Sequence, residues 1–382
     1  MSIAINQLEL SQTVKLLQKI IPKKNSNPLL SSIVLQTNQD KQHLSLQVND
    51  LNWGLKITLL AQVDQTNDYL LPGQTFIDAT SIGDASDTAI TFNDEGQITI
   101  QNGPDQVLTK SLNIDDYPFP LVQKEPQGIQ ITLKTSLIKE IKEKVVFATS
   151  SDLTRPQLTG VYFNFKPENL EIVGTDGFRL SVLTKKNPLP ADALADSNSS
   201  SFSFLLPALV MSSLESVLDK YDSKTFDLFF DQAQDKIIFI GENFTFWVNL
   251  IKVAFPPYEK IIPPDFKSEI TLDREDFLKT LQKAQLFAKE AANTAQFTFI
   301  DNKLLVKTQG ESGFYNSEIS LTSTIDEELK IAFNIKYLTD FLGTLNSPTV
   351  WLGLNDTVKP VMMAEKAKSD FRYIAMPFKA RT

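Results

Sequence analysis

The chain has 382 residues, enough for two or three domains, and its 42% hydrophobic and 22% charged residues are typical of a globular protein. It has no cysteine, which excludes disulfides, thiolate metal sites and cysteine nucleophiles. Its 46 acidic and 37 basic residues give a formal net charge of −9, which argues against a nucleic-acid binder unless the basic residues are clustered.

The N-terminus lacks the basic and apolar segments of a signal peptide, and no stretch stays apolar for the roughly 18 residues of a membrane span. We therefore expect a cytoplasmic protein. The one histidine, His43, begins an alternating segment. No general-base constellation surrounds it, so a surface strand position is favoured over a catalytic one.

In chain order, three segments alternate like short strands: residues 2–5, 129–133 and 269–272. Apolar residues at helical spacing follow each of them and predict three helices, over residues 10–21, 137–147 and 277–287. The same order of elements in all three places indicates an internal repeat.

A meander of alternating strands follows each predicted helix. The patterns and the polar loops between them predict three hairpins, which pair residues 32–36 with 44–48, 161–165 with 170–173, and 297–299 with 304–306. The loop of the third would be Asp301-Asn302-Lys303. Each repeat is therefore predicted to begin with a strand and a helix and to continue with further strands.

A second strand and helix follow within each repeat. The clearest periodicity belongs to the second helix of the second repeat. Its apolar residues share one face and are Val210, Leu214, Val217, Leu218 and Tyr221. The chain is therefore predicted to be an α+β protein of six half-units, paired into three domains over residues 1–127, 128–265 and 266–382. The polar residues 187–201 are predicted to be a surface loop inside the second repeat.

The first helix of each repeat carries lysines at helical spacing. On a single helix a solvated face is the favoured interpretation, but the recurrence favours a basic lining that contacts a phosphate backbone without reading bases. The lysines are Lys15, Lys19, Lys23 and Lys24, then Lys139 and Lys142, then Lys279 and Lys283.

The whole chain resembles the bacterial sliding clamp family, the beta subunit of DNA polymerase III. The resemblance is carried by the three repeats and by three short stretches: T-D-G-F-R-L at residues 175–180, F-P-P-Y at 255–258 and the tail at 373–379. The resemblance implies the DNA-clamp fold, a homodimeric head-to-tail ring with helices lining the hole and sheets outside. It implies a non-enzymatic replication processivity factor with no cofactor, metal or catalytic residue.

The resemblance also implies the partners. The ring would encircle double-stranded DNA without sequence specificity and tether the replicative DNA polymerase. The clamp loader and repair and ligation proteins would bind through short peptide motifs. Retention by topology needs little electrostatic affinity, so an acidic chain with a modest basic lining is consistent with this function.

The peptide-binding pocket implied by the resemblance lies between the second and third domains. Its apolar residues would form a socket for an aliphatic or aromatic anchor, and its Arg and Asn would hold the peptide backbone at the rim. Without the resemblance, each apolar residue would be interpreted as core. The matching positions are Arg155, Leu158, Thr175, Gly177, Phe178, Arg179, Leu180, Pro256, Ile261, Asn334, Tyr337, Val358, Pro360, Ile374, Met376, Pro377, Phe378 and Lys379.

Two further sets of positions come from the resemblance. Asn27 joins the DNA-facing lysines, at a position where the family commonly has a basic residue. The ring interface would bring Val107 and Leu108 of one copy against Leu286 and Phe287 of the other.

Two other functions fit the residues alone. The first is a monomeric repeat-built protein that binds peptides or polymers without encircling DNA, which the mass in solution would distinguish from a dimer. The second is a hydrolase that uses the acidic pairs Asp94-Glu95 and Asp115-Asp116. Both pairs are predicted to lie in turns, where solvated acids are the default.

Overall fold

The computed structural model describes residues 1–22, 28–81, 83, 86–119, 128–189, 202–231, 235–289, 292–311 and 313–378. Two compact units make up the chain. The first comprises Met1–Ile138 and Leu209–Leu250, and the second comprises Lys139–Ala208 and Ile251–Thr382.

Each of the six described helices follows a strand, as the half-units predict. The helices are α1 (Gln7–Leu17), α2 (Gly73–Ser81), α3 (Thr135–Lys144), α4 (Val210–Lys220), α5 (Arg274–Ala288) and α6 (Ile335–Leu342). Three helices have a side-chain cap at the N-terminus. In each, the capping side chain accepts a hydrogen bond from a backbone N–H of the first turn; the caps are Asn6 for α1, Asp273 for α5 and Asn334 for α6. Helix α1 ends at Leu17 rather than at the predicted residue 21, and turns follow it.

Strands make up most of the remaining described chain. In order they are β1 (Ser2–Asn6), β2 (Ser32–Asn38), β3 (His43–Asn49), β4 (Trp53–Leu60), β5 (Gln62–Val63), β6 (Asp68–Pro72), β7 (Asp87–Phe92), β8 (Gln97–Asn102), β9 (Asp105–Lys110), β10 (Ile129–Lys134), β11 (Gly160–Phe165), β12 (Asn169–Thr175), β13 (Arg179–Lys186), β14 (Phe202–Pro207), β15 (Thr225–Asp231), β16 (Lys236–Ile240), β17 (Phe244–Asn249), β18 (Ser268–Asp273), β19 (Thr294–Gly310), β20 (Gly313–Asn334), β21 (Thr349–Leu354), β22 (Val361–Ala364) and β23 (Phe371–Ala375).

The first unit contains two antiparallel sheets. One has the order β5-β1-β7-β8-β9, and the other has the order β10-β15-β16-β17-β4-β3-β2-β6. The predicted pairing of β2 with β3 is confirmed, with Leu35 opposite Leu46. Val210, Leu214, Val217 and Leu218 of α4 are buried, as predicted for its apolar face, whereas Tyr221 follows the end of the helix and is half-buried.

The second unit is built on an eight-stranded sheet of order β14-β11-β12-β13-β23-β22-β21-β18. The predicted hairpin of β11 and β12 is confirmed, with Phe163 opposite Ile172. The pairing of β13 with β23 joins strands from the predicted second and third repeats. A separate two-stranded sheet consists of β19 and β20.

The third predicted hairpin is wrong. Its two halves, residues 297–299 and 304–306, both lie in the long strand β19, and both pair with β20. Asp301 has a left-handed φ of 48°, and the register with β20 shifts on both sides of it. The polar residues therefore form a bulge within one strand instead of a turn between two.

One predicted loop lies mostly outside the described residues. Of residues 187–201, the structure describes only the first three, directly after β13. His43, as predicted, lies in a strand, at the first position of β3, where it is half-buried.

Candidate functional site

The pairing of β13 with β23 brings the T-D-G-F-R-L stretch against the C-terminal tail. Leu180 lies opposite Ile374 in this pair, and beyond the strand end the backbone N–H of Met376 donates to the oxygen of Phe178 at 2.9 Å. Gly177 has a φ of +92° in the turn, a left-handed conformation that glycine adopts without a steric penalty. The quoted stretch is therefore a turn whose exit strand pairs with the tail.

Asp176 organises this turn. Its carboxylate accepts hydrogen bonds from the backbone N–H groups of Phe178 at 2.9 Å and Arg179 at 3.0 Å. It also accepts a hydrogen bond from the Nε–H of Arg179 at 3.0 Å. The Nη1 of Arg179 donates to the Asp340 carboxylate of α6 at 2.7 Å. These bonds hold the turn against α6.

Arg179 lies beneath the surface instead of at the predicted rim. It is only 8% exposed, and its guanidinium packs 4.6 Å from the ring centroid of Tyr337 and 5.4 Å from that of Phe147. Two carboxylates and two rings together enclose the cation. Arg179 is therefore placed to support the turn against α6 rather than to contact a ligand directly.

Two aromatic rings join the turn to the tail. Phe178, which is 46% exposed, stacks on Phe378 with the ring centroids 5.9 Å apart. The backbone N–H of Phe378 donates to the oxygen of Ala332 at 2.8 Å, and its ring lies 6.3 Å from that of Tyr337. The hydrogen bond therefore holds the tail next to β20, and the Phe378 ring lies beside those of Phe178 and Tyr337.

Two cavities follow the tail. One of about 440 Å³ is lined by Val358, Pro377 and Phe378, and another of about 510 Å³ is lined by Ile261, Pro360 and Met376, each together with other residues. Their volumes lie within the range of pockets that bind small ligands or side-chain anchors. Six of the predicted pocket residues therefore line open space.

The other predicted pocket residues differ in their surroundings. Leu158, Thr175, Leu180 and Ile374 are buried, and Leu180 and Ile374 belong to one apolar core cluster. A Cβ at Gly177 would lie 3.7 Å from the Arg155 guanidinium and 4.0 Å from Leu158.

Three pocket positions remain. Asn334 caps α6, Pro256 is half-buried in the segment before residues 258–261, and Lys379 lies outside the described residues. The sequence reasoning missed Asp340 and Ala332, which contact Arg179 and Phe378 from distant parts of the chain. The helical spacing of Lys336 and Asp340 was a local signal for an ion pair, but nothing local pointed to Arg179.

The predicted DNA-facing lysines are mostly exposed. Lys15 lies in the last turn of α1, and Lys19, in the following turn, donates to Ser216 Oγ of α4 at 2.6 Å. Lys139 is exposed and Lys142 half-buried on α3. Lys23, Lys24 and Asn27 are outside the described part of the chain.

On α5, both lysines are exposed. Lys283 lies in the middle of the helix, and Lys279 forms an ion pair with Glu275 at 2.5 Å. That carboxylate partly neutralises Lys279, so the two lysines of this helix are not electrostatically equivalent.

The predicted interface residues include exposed leucines. On β9, an edge strand of its sheet, Leu108 is 63% exposed and Val107 half-buried. On α5, Leu286 is 67% exposed, and Phe287 stacks on Tyr315. Phe314, also exposed, was not predicted as part of this surface.

The two acidic pairs lie in turns. Asp94-Glu95 separates β7 from β8, and Asp115-Asp116 ends a short 3-10 turn. Within the described ranges, no three His, Cys, Asp or Glu side chains are grouped as metal ligands would be. In that same part of the chain, no helix is long and apolar enough to cross a membrane.

Three family models match the chain one after another. They describe the N-terminal domain of the DNA polymerase III beta subunit over residues 1–122, its central domain over 132–257 and its C-terminal domain over 259–379. The chain belongs to the DNA polymerase III beta subunit family. The predicted family resemblance is thus confirmed over nearly the whole chain.

Relatives of full length carry the name of this family. The beta sliding clamp of Synechococcus elongatus is 27% identical, with 100% of both chains covered. The beta sliding clamp of Streptococcus pneumoniae is also 27% identical, with 98% of both chains covered.

Solved structures of the family share the fold. The beta chain of DNA polymerase III from Streptococcus pneumoniae superposes with a TM-score of 0.89 at 24% identity, covering 99% of this chain and 100% of that one. The sliding clamp of Bacillus subtilis gives a TM-score of 0.89 at 22% identity, with both chains fully covered. The predicted α+β clamp fold is confirmed.

Proposed function

We propose that this chain is a DNA sliding clamp, a replication processivity factor that encircles duplex DNA and tethers the replicative polymerase. The observation that carries the proposal is that the three beta-subunit domain models match the chain consecutively, in N-terminal, central and C-terminal order. Full-length relatives named beta sliding clamp support it. In this proposal the protein acts by binding and topology and catalyses no reaction.

The proposed assembly is a ring of two copies, each with domains over residues 1–127, 128–265 and 266–382. Exposed leucines support the contact between copies. Among the described strands, β9 with Leu108 is an edge strand of its sheet, and Leu286 and Phe314 present apolar surface on the other unit. An edge strand with an exposed leucine is suited to pairing with a second chain.

The ring would bind partner proteins at a groove along the tail, which is the surface that includes the stacked rings of Phe178 and Phe378 and the two cavities that Met376, Pro377 and Phe378 help to line. These two features support this part of the proposal. A partner's apolar side chains would enter the cavities, where burial of a few anchors supplies most of the binding energy. The polymerase, the clamp loader and repair and ligation proteins would compete for this groove.

DNA would be held by weak contacts from the exposed lysines of α1, α3 and α5. A closed ring is retained by topology, so a few phosphate contacts are sufficient, and strong binding would slow sliding because each step releases and rebinds counterions. The acidic net charge of −9 is compatible with this arrangement.

Sedimentation velocity at micromolar concentration tests the ring against a monomeric binding protein. A dimer is expected, and the double variant Leu108→Asp, Leu286→Asp should sediment as a folded monomer. A wild-type protein that remains a monomer at these concentrations would contradict the ring.

A further inference from the structure

Helices α1 and α4 lie side by side in the first compact unit, which contains both of them. In the predicted division of the chain, α1 comes from the first domain and α4 from the second. Side-chain hydrogen bonds join the two helices at two places, Thr13 with Lys220 and Lys19 with Ser216. The helices run antiparallel, because the residue number rises along α1 as that of its partner falls along α4.

At one of these places α1 supplies the lysine. Lys19, in the turn after α1, donates from Nζ to Ser216 Oγ at 2.6 Å. The Ser216 hydroxyl donates its own proton to the backbone oxygen of Ser212 at 2.8 Å, so its oxygen can accept from Lys19. Lys19 is exposed, and an ammonium has three N–H donors, so it keeps donors for a phosphate.

At the other place α4 supplies the lysine. Lys220 Nζ donates to the hydroxyl of Thr13, which is buried, and to the backbone oxygen of Glu9 at 3.4 Å. Burial lowers the pKa of Lys220 to about 8, although the Glu9 carboxylate opposes this effect. A partly buried ammonium whose donors already point at α1 is a poor phosphate ligand, so Lys220 is suited to holding α1 instead.

The end of α4 is itself held against a strand. Tyr221, directly after α4, stacks on Phe244 of β17 with the ring centroids 5.8 Å apart. Lys220 Nζ lies 5.5 Å from the centroid of the Tyr221 ring, within the range of a cation–π contact. Lys220 therefore links α1 to a part of the unit that aromatic packing fixes.

A proposed DNA-facing lysine lies between the two places. Lys15 is exposed on α1, between Thr13 and Lys19 in sequence. A side chain loses less freedom on binding when the backbone that carries it is already fixed. We propose that Lys220 is a positioning residue, which holds α1 against α4 and so directs Lys15 and Lys19 toward DNA without contacting the DNA itself. This inference rests on the proposed sliding-clamp function and adds to it a residue that the sequence did not predict.

Hydrogen exchange of the full-length protein, measured by mass spectrometry, tests the first step. Lys220→Met keeps the aliphatic stem but removes both hydrogen bonds, and it should speed the exchange of the α1 amides at least about fivefold. Lys220→Arg keeps a cationic donor and should stay within about twofold of the wild type. Lys224→Met makes the same change at an exposed position after α4 and should leave α1 unchanged.

A double-mutant cycle, measured by fluorescence titration of duplex DNA, tests the second step. At about 50 mM salt, loss of one phosphate contact should weaken binding about tenfold, so Lys15→Ala should have that effect in the otherwise wild-type protein. In the Lys220→Met background, Lys15→Ala should cost at most about threefold, because Lys15 is no longer held toward the phosphate. The Lys220→Arg background should restore the larger effect.

Two results would overturn the proposal. They are wild-type exchange of α1 in Lys220→Met, or an equal effect of Lys15→Ala in the wild-type and Lys220→Met backgrounds. Faster exchange combined with equal effects would mean that Lys220 stabilises α1 without directing Lys15, and no effect in either background would also reject contact between α1 and DNA. Failure of the ring would instead appear as a monomer in sedimentation, which neither of these measurements reports.

Discussion

The rings of Phe178 and Phe378 stack with centroids 5.9 Å apart and planes 18° from parallel. Phe178 lies in the turn before β13 and Phe378 lies in the tail after β23, and the pairing of these two strands brings the rings together. The stack adds an aromatic surface between the turn and the two cavities along the tail.

Phe378→Ala should weaken the binding of a labelled peptide from the protein's own replicative polymerase at least about tenfold, because it removes a central aromatic anchor. Fluorescence anisotropy measures the affinity. Leu60→Ala removes an apolar side chain from the other unit, one that is more exposed than Phe378, and serves as the control. Unchanged affinity in Phe378→Ala would reject the groove as the peptide site.

Arg179→Ala should lower the free energy of unfolding by about 3–5 kcal/mol, because it leaves the Asp176 and Asp340 carboxylates without their buried partner. Urea unfolding followed by circular dichroism measures this loss. Lys303→Ala breaks an exposed ion pair with Glu318 and should leave the midpoint almost unchanged. Equal effects of the two substitutions would contradict a supporting role for Arg179.

Glu171 should make stability depend on acid. Burial opposes its ionisation, but the hydrogen bonds from Lys166 and Tyr258 outweigh burial and hold the pKa of this carboxyl below its ordinary value of 4.5. A lowered pKa stabilises the folded state fully above pH 4.5, and this contribution is lost as the pH falls below that value.

Wild type should therefore exceed Glu171→Gln in unfolding free energy at pH 7, and the difference should shrink below pH 4.5. Urea titrations at pH 7, 5 and 3.5 measure it, with Glu168→Gln, at an exposed position, as the control. A difference that stays constant over this range would show that the charge of Glu171 contributes nothing to stability.

The two lysines of α5 should differ in their contribution to DNA binding. If Lys283 contacts one phosphate, Lys283→Ala should reduce the slope of log affinity against log salt by about 0.9. Lys279→Ala should reduce it less, because Glu275 already neutralises part of the Lys279 charge. Titrations of duplex DNA at several salt concentrations measure both slopes, and equal slopes in all three proteins would place this helix away from DNA.

Local signals predicted the half-units well. Each strand and helix has its own periodicity, and capping residues such as Asn6 and Asp273 mark where a helix begins. The alternation around Asp301 was misinterpreted because a bulge and a hairpin loop use the same polar residues. Only the partner strand, β20, distinguishes them, and nothing in that short stretch identifies it.

The candidate groove depended on information that periodicity does not contain. The family resemblance assigned Phe178 and Phe378 to one pocket. It did not indicate the burial of Arg179, which follows from contacts such as that with Asp340, on a helix far along the chain.

Retention on circular DNA tests the sliding clamp most directly. The protein is loaded by its clamp loader onto a nicked circle, and gel filtration then separates bound from free protein before and after a restriction enzyme linearises the circle. We expect the protein to stay on the circle, to leave the linear DNA, and to stay on linear DNA whose ends are blocked by bound protein. Equal retention on circular and open linear DNA would contradict the account.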